Sequence, residues 1–149
     1  MTVYRESTFE AAVQRSLGAE VKGEHMKVFK EFRFEAAHSL PHLPEGHKCR
    51  NVHGHSYLVR VTVSGKPVDG MVIDYAEISR AWLPLYAVLD HQNIDGLPGL
   101  GHSTSENLAR WIYDLLRKEV DNYTRDNRGG AYVSSVEVRE TPSAGAIYP

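Results

Sequence analysis

The chain is poor in the features that mark several large protein classes. Its 149 residues include one cysteine, which excludes an internal disulfide and makes a reduced, cytoplasmic protein the expectation. No apolar run approaches the length of a membrane-spanning helix, and the first residues lack the pattern of a secretory signal. The 17 basic and 19 acidic residues form no basic stripe, so neither a membrane nor a nucleic acid is expected as a partner. An ordinary globular protein remains, with 42% hydrophobic and 24% charged residues.

The chain divides into a short leading segment and one domain. Ser7 and Glu10 have the spacing of a helix-capping box, and the residues after them predict a short amphipathic helix. A clear strand pattern then begins at Met26. We therefore interpret residues 1–25 as an N-terminal extension without chemistry, and residues 26–149 as a single domain with its own core.

Hydrophobic periodicity in the domain predicts two strands, two helices and two more strands. Alternation over residues 27–38 and again over about 52–64 predicts antiparallel neighbours, because the two segments are joined by one loop. The last two strands are predicted near residues 132–140 and 144–148. This order predicts an α+β fold, with a four-stranded antiparallel sheet that carries both helices on one face.

Local signals set the expected limits of the helices. Asp74 and Ser103 each precede a glutamate by three residues, which is the spacing of a helix cap. Pro84 is expected to kink or interrupt the first helix, because proline has no N–H to donate. Residues 92–102 and 121–130 are predicted loops, since the first is rich in glycine and the second is polar.

Three histidines fall on the apolar faces of the first two predicted strands. His53 and His55 are two residues apart and therefore face the same way, and His38 ends the apolar face of the preceding strand. Three imidazoles that leave a fourth position open are typical of a catalytic zinc. The alternative is that each histidine is an ordinary polar residue near a strand end. Burying three unpaired imidazoles would cost free energy, which favours the metal site.

Cys49 lies in a polar loop beside His47, Lys48 and Arg50. Nearby positive charge favours the thiolate, so a reactive thiol is one interpretation. A fourth metal ligand is a second, and a small buried hydrophobic residue is a third.

Two further acidic positions have both a functional and a structural interpretation. Asp90 and His91 adjoin at the end of the first helix, where a carboxylate-oriented imidazole would suit a reactive thiol and a lone histidine would complement the helix dipole. Glu140 falls on the apolar side of the third strand. It is either part of a salt bridge or an anchor for the guanidine-like edge of a heterocycle.

These residues, in this order, resemble the 6-pyruvoyl-tetrahydropterin synthase family, and more closely its bacterial 6-carboxy-tetrahydropterin synthase branch in queuosine biosynthesis. The resemblance extends from about residue 27 to the end of the chain. The matching segments are Phe34–His38, Gly46–Cys49, His53–His55, Ile73–Asp74, Leu89–His91, Thr104–Glu106 and Glu140–Thr141.

The resemblance implies a tunnelling fold, in which subunits form a trimeric barrel and two barrels stack into a homohexamer with active sites between subunits. The implied ligands of Zn²⁺ are His38, His53 and His55. The implied proton-transferring residues are Cys49, Asp90 and His91, the last two from the same or a neighbouring subunit. The implied pterin-binding residues are Glu140, Thr104 and Ser105.

The implied reaction converts 7,8-dihydroneopterin triphosphate to 6-carboxy-tetrahydropterin, acetaldehyde and triphosphate, as a zinc-dependent carbon–carbon lyase. Lys48 and Arg50 are candidate triphosphate contacts, although solvated surface charges are the simpler interpretation. Two alternatives stay open: a pyruvoyl-forming synthase that eliminates triphosphate from the same substrate, and a non-catalytic zinc- or pterin-binding module.

Overall fold

A computed structural model of the chain describes residues 10–14, 24–126 and 130–149, except for the side chains of 125 and 126. Residues 10–14 are helical, and the rest of the predicted N-terminal helix lies outside the described residues. A 3₁₀ turn lies between the first two strands, at Lys48–Arg50. The strands and helices are, in chain order, β1 (Met26–His38), β2 (His53–Gly65), α1 (Tyr75–Leu89), β3 (Gln92–Asn93), α2 (Ser105–Asp126), β4 (Tyr132–Thr141) and β5 (Ala144–Tyr148).

The strands form one sheet in the order β3-β1-β2-β4-β5. The predicted α+β class and the antiparallel pairing of β1 with β2 are confirmed. The observed sheet has five strands, not the predicted four antiparallel ones. The additional strand, β3, pairs parallel to β1 and lies in a segment that was expected to be a loop. Backbone bonds hold this segment, since His91 N donates to Glu35 O over 2.6 Å and Ile94 N donates to Ala37 O over 2.9 Å. A strand of two residues is too short to show alternation in a sequence.

Both helices pack on one face of the sheet, α1 against β1 and α2 against β4 and β5. Trp82 of α1 stacks on Phe32 of β1 with ring centroids 4.8 Å apart, and Phe34 stacks on Tyr57 of β2 at the same distance. Full burial of a side chain such as Phe34 contributes about 1.5–3 kcal/mol. The opposite face of the sheet is charged, through Glu31, Arg60, Glu137 and Arg139. Neither α1 nor α2, over their described residues, is long and apolar enough to cross a membrane.

The predicted cap of α1 is confirmed, because Asp74 Oδ1 accepts a hydrogen bond from Ala76 N over 2.8 Å. Pro84 does not interrupt the helix, which continues to Leu89. The tertiary contacts of Trp82 and Leu85, both buried, hold the segment around the proline in place.

The limits of α2 differ from the predicted ones. Thr104, not Ser103, is the cap: its Oγ1 accepts from Asn107 N over 3.3 Å, while Ser103 is buried and bonded elsewhere. The helix also continues into the predicted polar loop, as far as Asp126. Val120 is 2% exposed at its border, and Tyr123 packs partly buried against the core within it, so the apolar stripe of the helix continues into that stretch.

A β-bulge changes which residues of β4 face the core. The register with β2 shifts between Thr62 and Val63, so Val133 rather than Tyr132 is buried. The extra residue in the bulged strand reverses the alternation on one side of it. Beyond the bulge Val136 and Val138 are buried.

Candidate metal and substrate site

The three histidines come from the paired ends of β1 and β2. His38 lies directly opposite His53 in the register, and His55 lies opposite Ala36. Because alternation gives these positions the same face, the three rings converge, and their ligand atoms all lie within 4.8 Å of one another. His38 is buried, whereas His53 and His55 are half-buried. The cluster is therefore open on one side and has the composition of a site that could hold a metal ion.

Backbone carbonyls orient two of these imidazoles. His38 Nδ1 lies 2.7 Å from Ser103 O, and His53 Nδ1 lies 2.8 Å from Asn51 O. A carbonyl only accepts, so each Nδ1 carries the proton and each Nε2 presents a lone pair. The two Nε2 atoms are 3.0 Å apart, where two lone pairs repel unless a proton or a metal ion lies between them. Tetrahedral zinc with nitrogen ligands at 2.0–2.1 Å would separate them by about 3.3 Å, so the donor set fits that ion.

The third imidazole is kept neutral by its surroundings. Burial lowers the pKa of His55; Glu140 acts in the opposite direction, and His38 and His53 lower the pKa further. A neutral imidazole is the form that binds a metal, so His55 needs to lose no proton near neutral pH.

Tyr57 adds a buried phenol beside the histidines. Its ring lies edge-on to His38 and His55, with centroids 6.1 and 5.6 Å away. Its hydroxyl is the one buried side-chain polar atom of the described residues without a hydrogen-bond partner. Burial, helped by Glu140 and Asp95, raises the pKa of Tyr57, so the phenol remains a proton donor.

Cys49 lies in the 3₁₀ turn Lys48–Arg50 and is partly exposed. The turn is braced by Arg50, whose Nη1 donates to the carbonyls of Pro41 and Leu43 over 2.7 and 2.5 Å. One nitrogen of the guanidinium thus makes structural contacts, while the side chain as a whole is exposed. Among the described residues, the group that could share a metal comprises the three histidines and not Cys49.

Asp90 and His91 form a hydrogen-bonded pair at the end of α1. Asp90 Oδ2 lies 2.7 Å from His91 Nδ1, and Asp90 Oδ1 accepts from Glu35 N over 2.9 Å. The bond from Glu35 N, with that from His91, lowers the pKa of Asp90, which is therefore ionised at neutral pH. Within the described part of the chain these hydrogen bonds reach Glu35, His91 and Tyr86, and not Cys49.

A cleft of 470 Å³ borders His91. It is lined by His91 and by residues 35–37 of β1, 54–56 of β2, which include His55, and 92–93 of β3. The ring of His91 is 77% exposed, and its backbone φ of 57° lies in the left-handed region, which turns it out of the end of the helix.

Glu140 and Ser105 meet at the start of α2. Ser105 Oγ donates to Glu140 Oε2 over 3.0 Å, and Ser105 is buried. The charge of Glu140 acts to raise the pKa of His55, so the carboxylate lies near the histidine cluster. Thr104 is next to Ser105 in the chain, but its hydroxyl oxygen accepts the capping bond from Asn107.

Comparisons with known proteins identify one family. The family model for 6-pyruvoyl tetrahydropterin synthase matches residues 27–149. A 6-carboxy-5,6,7,8-tetrahydropterin synthase of Synechocystis sp. is 39% identical over 128 residues, covering 81% of this chain and 91% of the relative. One from Bacillus subtilis is 30% identical over 124 residues, covering 80% and 82%. The structure of a Caenorhabditis elegans 6-pyruvoyl tetrahydropterin synthase matches with a TM-score of 0.70 and 27% identity, covering 84% of this chain and 95% of that one.

The chain therefore belongs to the 6-pyruvoyl tetrahydropterin synthase family. The resemblance read from the motifs is confirmed at this level.

Proposed function

We propose that the chain is a zinc-dependent carbon–carbon lyase of queuosine biosynthesis. It would convert 7,8-dihydroneopterin triphosphate to 6-carboxy-5,6,7,8-tetrahydropterin, acetaldehyde and triphosphate. The observation that carries the proposal is the cluster of three imidazoles, in a chain 39% identical to a relative that bears the name of this activity. The catalytic domain would comprise residues 26–149, and residues 1–25 would take no part in the chemistry.

His38, His53 and His55 would hold the zinc ion through their ring nitrogens. When bound, zinc supplies a Lewis acid that polarises hydroxyl and carbonyl oxygens of a substrate. Three protein ligands leave a fourth position for that substrate. The carbonyls of Ser103 and Asn51 support this assignment, because they hold two of the rings with Nε2 facing the cluster.

Cys49 and the Asp90–His91 pair would move the protons of the reaction. The Cys49 sulfur would take a proton from the side chain of the substrate or return one to it. Asp90 accepts from His91 Nδ1, which leaves His91 Nε2 to accept or donate a proton.

We further propose that the active site is completed between subunits of a homohexamer. The ring of His91 is 77% exposed in one chain, and the described hydrogen bonds of the pair do not reach Cys49. A neighbouring subunit that brings His91 to Cys49 would join the two halves of the proton-transfer set.

Glu140 would hold the pterin ring, because a carboxylate can accept two hydrogen bonds from its guanidine-like edge. The hydroxyl of Ser105 supports that orientation by donating to Oε2. Thr104 would contribute through its hydroxyl proton, since the oxygen already caps α2.

The test is product identification by mass spectrometry after purified, zinc-loaded protein is incubated with 7,8-dihydroneopterin triphosphate, with a trap for acetaldehyde. The proposal expects 6-carboxy-tetrahydropterin and trapped acetaldehyde in equal amounts. Pyruvoyl-tetrahydropterin without aldehyde would identify the pyruvoyl-forming synthase instead. Full metal content without turnover of any dihydropterin would point to a non-catalytic binding module.

A further inference from the structure

Asp95, in the loop that follows β3, gathers three hydrogen bonds from two other segments. Its Oδ1 accepts from Ser39 N over 3.1 Å and from Ser103 Oγ over 2.6 Å. Its Oδ2 accepts from Ser39 Oγ over 2.7 Å. The carboxylate of Asp95 thus connects Ser39, which follows β1, with Ser103, which precedes the cap of α2. Nothing in the sequence distinguished Asp95 from the other polar residues of its glycine-containing loop.

Both residues that Asp95 connects, Ser39 and Ser103, also contact His38. Ser39 is its neighbour in the chain, and the backbone carbonyl of Ser103 accepts the hydrogen bond from His38 Nδ1 over 2.7 Å. Because Ser103 is 2% exposed, its position depends on protein partners rather than on solvent. The carboxylate therefore fixes the carbonyl that selects the Nδ1–H tautomer and turns Nε2 toward His53.

Asp95 is itself fixed in place and charged. Ile94 is fully buried and its N–H bonds to Ala37 O over 2.9 Å, while Asp95 N donates to Asn93 Oδ1 over the same distance. Burial acts to raise the pKa of Asp95, but the hydrogen bonds from Ser103 and Ser39 outweigh it and lower the pKa. An ionised carboxylate accepts at both oxygens, which a neutral amide cannot do.

We propose that Asp95 is a positioning residue for the metal ligand His38, acting through Ser39 and the carbonyl of Ser103. The inference rests on the metal site of the proposed function and adds a residue that does not itself contact the ion. Partners of this kind, which orient a ligand, typically change metal affinity by about 10- to 100-fold when they are removed.

The experiment compares Asp95→Asn with Asp114→Asn in the full chain. Asp114 is a matched control, because it is an exposed carboxylate whose described ion pair is with Arg110 at 3.9 Å. The affinity for Co²⁺ is measured by competition with a chelator, and the tautomer of His38 by ¹⁵N chemical shifts of the metal-free protein. We expect Asp95→Asn to bind Co²⁺ about tenfold or more weakly and to lose part of the Nδ1–H population, with no change in the control.

A second variant, Ser103→Ala, removes the hydroxyl link but keeps the carbonyl. It should weaken Co²⁺ binding in the same direction, and its effect should add little to that of Asp95→Asn, since both break one connection. Wild-type affinity and an unchanged His38 tautomer in Asp95→Asn would overturn the role of Asp95 while leaving the proposed function intact. Failure of the wild-type chain to bind Co²⁺ would overturn both.

Discussion

Removing one imidazole from the cluster should abolish most of the stabilisation that zinc gives the protein. At a zinc concentration one hundred times the dissociation constant, binding to the folded state stabilises it by about 2.7 kcal/mol. At about 4 °C per kcal/mol for a domain of this size, zinc should raise the melting temperature by about 10 °C. His55 is the residue to change. Its ligand atom lies within 4.8 Å of the other two, and its ring makes no hydrogen bond among the described residues, so its removal disturbs little besides the metal site.

His55→Ala removes one of three nitrogen ligands. Structural zinc sites bind with about 10–16 kcal/mol over four ligands, so one ligand corresponds to roughly 3 kcal/mol, or about a hundredfold in affinity. At the same zinc concentration the site would then be half-filled, and the shift would fall to about 2 °C. The assay is thermal unfolding with and without zinc, each variant serving as its own reference. The control is His102→Ala, an exposed histidine that packs on His42 outside the cluster. A full shift in His55→Ala would refute the assigned ligand set.

Three further outcomes are expected. Cys49→Ala should keep its zinc, measured by metal analysis, and lose turnover by about 10²-fold or more, whereas loss of the metal would make Cys49 a ligand. The metal-free protein should lose stability as the pH falls below about 6.5. Because burial lowers the pKa of His55 in the folded protein, the unfolded chain binds this proton at a higher pH than the folded one. Urea titrations at about pH 7.5 and 5.5 measure the difference in the free energy of unfolding. Tyr57→Phe should leave the metal-free protein at least as stable in urea, because the hydroxyl has no partner among the described residues; a loss above about 1 kcal/mol would show that the bond exists.

The histidine cluster could be predicted because its signals are local and regular. Alternation places His53 and His55 on one face whatever the rest of the fold does. Their proximity to His38 needed only the antiparallel pairing of two strands joined by one loop, and the register puts His38 opposite His53. The family motifs contain these same residues, so both lines of reasoning lead to one site.

What the sequence did not predict depends on contacts between distant segments. β3 is two residues long and exists because backbone bonds hold it against β1. Asp95 acts through Ser39 and Ser103, which are 56 and 8 residues away, and no periodicity marks such a partner. The β-bulge that buries Val133 instead of Tyr132 is likewise an irregularity in pairing, visible only when both strands are present.

X-ray absorption at the zinc edge of the loaded protein tests the central claim most directly, because it reports the atoms around the metal without reference to any substrate. The account predicts three imidazole nitrogens at about 2.0–2.1 Å with one oxygen from solvent, and no sulfur. A sulfur shell at about 2.3 Å would make Cys49 a ligand and fill the position proposed for substrate. Fewer than three imidazole nitrogens would contradict the assignment of His38, His53 and His55 as the ligands.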